Sequence, residues 1–333
     1  MFTALEVCAG GGGQALGLHQ AGFQARALVE IDKDACKTLS ANHSDWNVIN
    51  QDLREFDASP YRGVDLLAGG VPCPPFSIAG QQLGENDDRD LFPTALRLAE
   101  ECDPKVVMLE NVKGLASARF AGYRQRIIDA LNDMGYIVFW RMVFAEHFGV
   151  AQLRPRFVLV ALKEEFASYF SYPSGDPDDK AYVGDTLYDL MSSGGWEGAD
   201  LWRETAMSIA PTLVGGSKKH GGADLGPTRA RNKWLELGVN GKGVADDVPN
   251  DSHPVDHKPK LTIRMVARLQ GFPDEWMFKG GKTSQYRQIG NAFPPPVARA
   301  FGKAIISALN KEECVFDGPV DHQISLVMRG IAA

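Results

Sequence analysis

The feature that most constrains the fold is an alternation of short apolar runs with amphipathic stretches between Ala4 and about Lys163. This alternation is typical of βαβ units, in which helices cover both faces of a mostly parallel sheet. The strand-like runs are residues 3–8, 25–30, 64–68, 105–109, 137–144 and 156–162, and apolar residues recur at helical spacing in 90–101 and 123–134. The sequence therefore predicts a doubly wound α/β domain.

The composition changes after about residue 163. Residues 164–260 are rich in Gly, Pro, Ser and Asp and contain few periodic runs, which predicts a loop-rich second domain. Periodicity returns at 262–269, and the last clear helix is 296–309. A chain of 333 residues with 44% hydrophobic residues is large enough for one sizeable core and a smaller domain.

Several classes of protein are disfavoured by the sequence. The apolar runs are far shorter than the ~18–20 residues that a membrane span needs, and the N-terminus lacks a signal-peptide pattern, so we expect a cytoplasmic protein. The five cysteines include no CxxC pair and no cluster with histidine, which predicts neither disulfides nor a metal site. The net charge of −7 weighs against a nucleic-acid partner without excluding one, because a local basic strip can still bind DNA.

The glycine-rich stretch 10–13 follows a strand and opens a helix near Gln14. Glycines there let the backbone approach a ligand, although such a turn is generic among nucleotide-binding folds. Glu30 ends the second strand, where its carboxylate could accept both hydroxyls of a ribose. Asp52 lies about one βα unit later and could accept a hydrogen bond from an adenine amino group. Either acid taken alone could equally be a solvated turn residue.

Cys73 stands among prolines and glycines just beyond an apolar strand. Ligands bind at the carboxyl ends of strands in open α/β sheets, so this position suits a nucleophilic thiolate, although the sequence identifies no activating group. Cys36 and Cys102 fall inside helical patterns and fit inert, buried thiols better.

Glu110 follows the strand 105–109 and reaches the same edge of the sheet. Its carboxyl group could donate a hydrogen bond or a proton in a closed pocket, or could simply cap a helix. The alternating Arg154 and Arg156 predict two guanidinium groups that face one anionic pocket, unless both are ordinary surface arginines.

In order and content, these motifs closely resemble the bacterial DNA (cytosine-5) methyltransferases of restriction-modification systems. The matching blocks are the glycine-rich opening, Pro72-Cys73 with Phe76-Ser77, Glu110-Asn111-Val112, Gln152-x-Arg154-x-Arg156, Arg264 to Pro273 and Gln288 to Pro294. The resemblance implies a Rossmann-like methyltransferase sheet with a smaller, loop-rich target-recognition domain. It implies a catalytic domain in two parts, 1–163 and 261–310, a target-recognition domain at 164–260, where the resemblance is lost, and a tail at 311–333.

The same resemblance implies transfer of a methyl group from S-adenosylmethionine to C5 of a cytosine that is flipped out of a specific duplex sequence. Cys73 would add to C6, Glu110 would hold or protonate N3, Arg156 would contact O2, and Arg154 would support the loop. Double-stranded DNA would be the partner of a monomeric enzyme that needs no metal.

Two further sets of residues are predicted. The cofactor-binding set is Cys8, Gly10, Gly12, Gly13, Glu30, Ile31, Asp52, Leu53, Pro72, Leu91, Asn291 and Ala292. The DNA-binding set is Ser77, Gly80, Gln81, Lys218, Lys219, Arg229 and Arg231, although the cations of the second domain could also form a solvated loop.

The chain departs from the family pattern at several positions. Cys8 replaces a common aromatic residue that would stack on the adenine, Pro74 replaces a frequent Gln, Asp90 a usual Gly and Met265 a common Glu. A tRNA cytosine-5 methyltransferase is the nearest alternative, but its usual Cys-Phe-Thr tripeptide is missing from this sequence. A catalytically silent DNA-binding protein is a second alternative, disfavoured because the reactive residues are all retained.

Overall fold

The computed structural model describes residues 1–72, 90–178, 180–216 and 222–312. Its strands are β1 (Phe2–Val7), β2 (Phe23–Glu30), β3 (Val48–Asn50), β4 (Leu66–Gly69), β5 (Val106–Val112), β6 (Tyr136–Phe144) and β7 (Pro155–Lys163). They form a seven-stranded sheet in the order β3-β2-β1-β4-β5-β7-β6. β7 runs antiparallel to both of its neighbours, β5 and β6, and the other strand pairs of this sheet are parallel. The predicted α/β class and mostly parallel sheet are confirmed.

The helices of the described residues are α1 (Gly13–Ala21), α2 (Lys33–Asn42), α3 (Phe92–Cys102), α4 (Ala121–Asp133), α5 (Glu164–Ala167), α6 (Val183–Ser192), α7 (Ala199–Thr205), α8 (Thr228–Glu236), α9 (Ile263–Leu269), α10 (Lys282–Asn291) and α11 (Pro295–Leu309). Five helices, α1, α3, α4, α9 and α11, agree with the helices that the sequence predicts, and the others were not predicted. Proline in the first turn begins both α3 and α11, where its missing N–H costs no hydrogen bond. No helix in the described ranges is long and apolar enough to cross a bilayer.

The central strands read as continuous apolar runs because both of their faces are covered. Every residue of β4 is buried, and β5 is buried up to its last residue.

On one face of the sheet α1 packs against α11, where glycines bring the two helix backbones together. A Cβ atom at Gly17 would lie 2.4 Å from the carbonyl oxygen of Pro295. The C-terminal helix thus closes the sheet formed by the first half of the chain.

Residues 164–260 contain more helix than the composition suggests. Val183, Leu187 and Met191 recur every four residues on α6 and are fully buried, and Trp202 and Trp234 anchor α7 and α8. These residues share one apolar core with α9 and α10. The division of the chain into catalytic and target-recognition domains stays a prediction, and the packing adds that 181–250 and 261–292 are built on a common core.

Candidate active site

The parallel strands β1, β2, β4 and β5 all end at one edge of the sheet, which we call the carboxyl edge. It comprises residues 8–10, 30–32, 52–53, 69–72 and 110. Pairing in register brings these strand ends together, since Val7 lies beside both Val29 and Gly69, and Gly69 lies beside Leu109. In open α/β sheets such an edge is where ligands bind.

Glu30 is held rigidly at this edge. One carboxylate oxygen accepts the backbone N–H of Gly10 at 2.7 Å, and the other accepts that of Asp32 at 2.7 Å. Burial raises the pKa of the Glu30 carboxyl, while these backbone donors oppose the rise. Each carboxylate oxygen keeps a further lone pair for a ligand hydroxyl.

The glycines of the turn have two different surroundings. Gly10 has φ +55°, and a Cβ atom there would meet only the carbonyl oxygen of Cys8 at 4.0 Å. At Gly12 a Cβ atom would come within 2.7 Å of the side chains of Leu39 and Trp276. At Gly13 it would come within 2.3 Å of the carbonyl oxygen of Phe293. Gly10 therefore leaves room for a ligand, whereas Gly12 and Gly13 make room for other parts of the protein.

The groups around Gly10 complete a cradle. Burial, reinforced by the Glu30 and Asp52 carboxylates, raises the pKa of the half-buried Cys8 thiol and keeps it neutral. Arg54 lies 2.8 Å from Asp52 and lowers the pKa of that carboxyl, which stays ionised. Ile31 is 59% exposed and offers an apolar surface. A fixed carboxylate, an ionised carboxylate and an apolar surface around open space fit a nucleoside-like ligand.

The remaining predicted cofactor residues lie on other elements. Leu53 is buried directly after Asp52, and the N–H of Leu91 donates to the carbonyl oxygen of Pro72 at 3.0 Å. Asn291 is exposed at the end of α10, and Ala292 beside it is buried.

Glu110 and Arg156 form a buried ion pair at the ends of β5 and β7, with 8% and 9% of their surfaces exposed. The chain that leads out of β4 lies against this pair. The amide of Asn111 donates to the carbonyl oxygen of Val71 at 2.8 Å, and a Cβ atom at Gly70 would lie 3.2 Å from a Glu110 carboxylate oxygen. The carboxylate thus lies beside the chain that runs on through Pro72 to Cys73.

The expectation that Arg154 and Arg156 face one anionic pocket is wrong. Arg154 is completely buried, and its guanidinium donates to backbone carbonyls instead of to a carboxylate. Residues i and i+2 share a face only on a regular strand, and β7 begins after Arg154, whose φ of +21° breaks the alternation.

Several predicted residues lie outside the described part of the chain: Cys73, Ser77, Gly80, Gln81, Lys218 and Lys219. The described cysteines are poor nucleophiles. Burial raises the pKa of Cys8, of Cys36 to about 11 and of Cys102 to about 12, so all three thiols are protonated at neutral pH.

The two described DNA-binding candidates lie on α8. Arg229 is exposed, while Arg231 lies 3.6 Å from Asp224 and donates to the Thr228 hydroxyl at 3.2 Å. Trp234, three residues after Arg231 on the same helix, is fully buried and anchors α8 to the core. Helix α8 thus presents cations on a fixed support.

Two structural residues near the site were missed by sequence reasoning. Asp90 accepts a hydrogen bond from the Tyr123 hydroxyl at 2.6 Å and another from the N–H of Phe92 at 3.1 Å, which fixes the start of α3. Its only signal was the departure from the usual glycine. Trp276 donates its indole N–H to the carbonyl oxygen of Gly11 at 3.1 Å, and no local pattern announces that contact.

Comparison with known proteins agrees with this geometry. Residues 2–307 match the family described as C-5 cytosine-specific DNA methylase. The chain belongs to this family. It is a DNA cytosine-5 methyltransferase, as the order of its motifs suggested.

Its relatives include the Type II methyltransferase M.NaeI of Lentzea aerocolonigenes, which is 56% identical over 335 residues that cover 99% of this chain and 81% of that protein. The Type II methyltransferase M.NgoMIV of Neisseria gonorrhoeae is 51% identical over 93% of this chain and 99% of its own length. Among solved structures, a putative DNA modification methyltransferase encoded within a prophage of E. coli matches with a TM-score of 0.67 and 23% identity, over 93% of this chain and all of that one. This last likeness supports the fold.

Proposed function

We propose that this methyltransferase transfers a methyl group from S-adenosylmethionine to C5 of a cytosine flipped out of a specific duplex sequence, with Cys73 as its nucleophile. The observation that carries the proposal is the buried Glu110–Arg156 pair beside the chain that leads into Cys73. Glu110, Arg156 and the residues that directly precede Cys73 in the sequence thus lie together at one edge of the sheet.

The chemistry explains why these groups are needed together. Cytosine C5 is a poor nucleophile, and addition of the Cys73 thiolate to C6 converts it into an enamine carbon. Glu110 holds or protonates N3, which offsets the charge that develops on the ring during addition. Arg156 fixes the carboxylate and contacts O2 of the base. After methylation, loss of the C5 proton and cleavage of the bond between sulfur and C6 release Cys73.

The cradle at the carboxyl edge would hold the cofactor, which supplies an electrophilic methyl group when bound. Glu30 would accept the ribose hydroxyls, Asp52 the adenine amino group, and Gly10 would let the ligand approach the backbone. Cys8 and Ile31 would line the adenine site in place of an aromatic ring.

The DNA would lie between this edge and the second domain. The reacting atoms of a paired cytosine are inside the helical stack, so the base must be flipped out at a cost of a few kcal/mol. We propose that residues 164–260 select the sequence and that Arg229 and Arg231 on α8, with Lys218 and Lys219, contact the DNA. Membership in a restriction-modification system fits the resemblance of the motifs to such enzymes.

Sequencing of modified bases in cells that express the chain tests this proposal. We expect 5-methylcytosine at one fixed DNA sequence with the parent, and none with Cys73→Ser expressed to the same level. Methylated tRNA with unmodified DNA would favour the alternative RNA substrate. Unmodified DNA and RNA with a folded, abundant parent would contradict the proposal.

A further inference from the structure

A polar junction with a buried centre, which we call the seam, joins stretches that are far apart in the sequence. Its members are Gln152 and Arg154, residues 213–216, Gln270 and residues 290–292. The side chains of Gln152, Arg154 and Gln270 are 0% exposed. Long polar side chains are buried to this extent only where protein groups satisfy them, so each has a specific partner to hold.

Arg154 donates hydrogen bonds to both sides of the seam. One terminal nitrogen donates to the carbonyl oxygen of Leu213 at 2.9 Å. The other donates to the carbonyl oxygens of Gly290 at 3.0 Å and Ala292 at 2.6 Å. Because the guanidinium is a rigid plane, displacement of one carbonyl disturbs the bonds to the others. The proposed target-recognition region and the proposed cofactor-binding block therefore share one side chain.

Neighbouring contacts reinforce the same connection. The carbonyl oxygen of the Gln152 side chain accepts the N–H of Leu213 at 3.0 Å, and its amide donates to Leu269 at 2.9 Å. Asn291 donates to the carbonyl oxygen of Gly216 at 3.2 Å. A Cβ atom at Gly215 would lie only 2.6 Å from the Asn291 side-chain oxygen. A proposed cofactor residue thus touches the chain just before the proposed DNA-binding lysines.

The seam is also strained. Arg154 has φ +21°, which L-residues rarely adopt, and its Nε has no hydrogen-bond partner among the described residues. Burial, with the nearby Arg156 guanidinium, lowers the pKa of Arg154 well below its usual range. Strain and unsatisfied groups persist where the surrounding packing imposes them, and they are common at sites with a function.

We propose that Arg154 is a positioning residue that couples binding of the methyl donor to recognition of DNA. The inference rests on the proposed function, because it takes Asn291 and Ala292 as cofactor-binding residues and residues 213–216 as the segment that leads to the DNA-binding lysines. Binding of either ligand then stabilises the arrangement of the seam that the other ligand requires. Coupling between sites is reciprocal, and we expect each ligand to tighten the other about tenfold.

The test measures binding and needs no turnover. The Kd of a short fluorescent duplex that carries the recognition sequence is measured with and without saturating S-adenosylhomocysteine. The Kd of S-adenosylhomocysteine is then measured by calorimetry with and without saturating duplex. In Arg154→Lys, which keeps the charge and loses the planar fork, the ratio of Kd values should fall to within about twofold of one. Gly215→Ala, which wedges the seam apart without touching Arg154, should lower the ratio in the same direction.

Tyr136→Phe is the matched control. It removes a buried hydroxyl that donates to the carbonyl oxygen of Pro104 at 2.6 Å, far from the seam, and should keep the parental ratio. A ratio near one in the parent, or a parental ratio in both folded seam variants, would overturn the coupling role. Failure of the parent to bind S-adenosylhomocysteine at all would instead overturn the cofactor assignment and the coupling with it.

Discussion

The carboxyl edge borders open space at Gly10 and Ile31, whereas Gln152, Arg154 and Gln270 of the seam are enclosed by protein. At the edge, Glu30 and Asp52 are held by backbone donors or by a neighbouring arginine and keep acceptor capacity for a ligand. In the seam, Arg154 donates to backbone carbonyls, and Gln152 donates to the carbonyl oxygen of Leu269 and to the side-chain oxygen of Gln270.

The two arginines of one motif show the difference most clearly. Arg156 pairs with Glu110 at the edge, and Arg154, two residues earlier, binds three carbonyls in the seam. Changes at the edge should therefore alter catalysis or the affinity for one ligand. Changes in the seam should alter how strongly one ligand affects the Kd of the other. Changes at glycines that pack against other segments should alter the free energy of unfolding.

The largest effect is expected from Glu110→Gln. The amide keeps the shape but cannot supply a proton or a negative charge, so the rate of methyl transfer in a single turnover should fall by about 10²–10⁴-fold. Cofactor affinity should change little, since Glu110 is not among the residues proposed to bind the cofactor. A rate within about tenfold of the parent would remove Glu110 from the chemistry.

The next largest effect is a loss of stability that should distinguish Gly13 from Gly10, two glycines of the same turn. Gly13→Ala places a Cβ atom 2.3 Å from the carbonyl oxygen of Phe293, and we expect the free energy of unfolding to fall by about 1–3 kcal/mol. Gly10→Ala enters open space, so its cost should be only the roughly 1 kcal/mol of its left-handed backbone, with a weaker cofactor Kd. Urea unfolding and calorimetric titration distinguish them. Equal losses of stability would show that the two halves of the turn do not differ.

A smaller effect is expected from Cys8→Phe. The neutral thiol of Cys8 takes no chemical part, and an aromatic ring there would offer a stacking surface for the adenine. The cofactor Kd should shift while turnover at saturating cofactor persists, as titration and initial rates would show. Loss of all turnover in a folded Cys8→Phe variant would contradict the passive role of this residue.

The sequence was sufficient for the α/β class because the central strands are covered on both faces and apolar, and because Glu30 and Glu110 lie at or near the ends of such strands. It was insufficient where partners are remote, as for Trp276 and Gly11, which are 265 residues apart. Helices α6, α7 and α8 lack side-chain caps at their N-termini, so their starts gave little signal. The direction of the Arg154 side chain depends on its unusual φ, which cannot be inferred from the rule that alternate strand residues share a face.

The central claim, that Cys73 alone bonds to the target base, is tested most directly by trapping. With fluorine on C5 of the target cytosine, methylation proceeds but elimination cannot, because fluorine does not leave as a cation. In the presence of methyl donor, denaturing electrophoresis should show a covalent complex with DNA for the parent and for alanine variants at Cys8, Cys36, Cys102 and Cys314. Cys73→Ala should form none, and a covalent complex that survives Cys73→Ala would contradict the account.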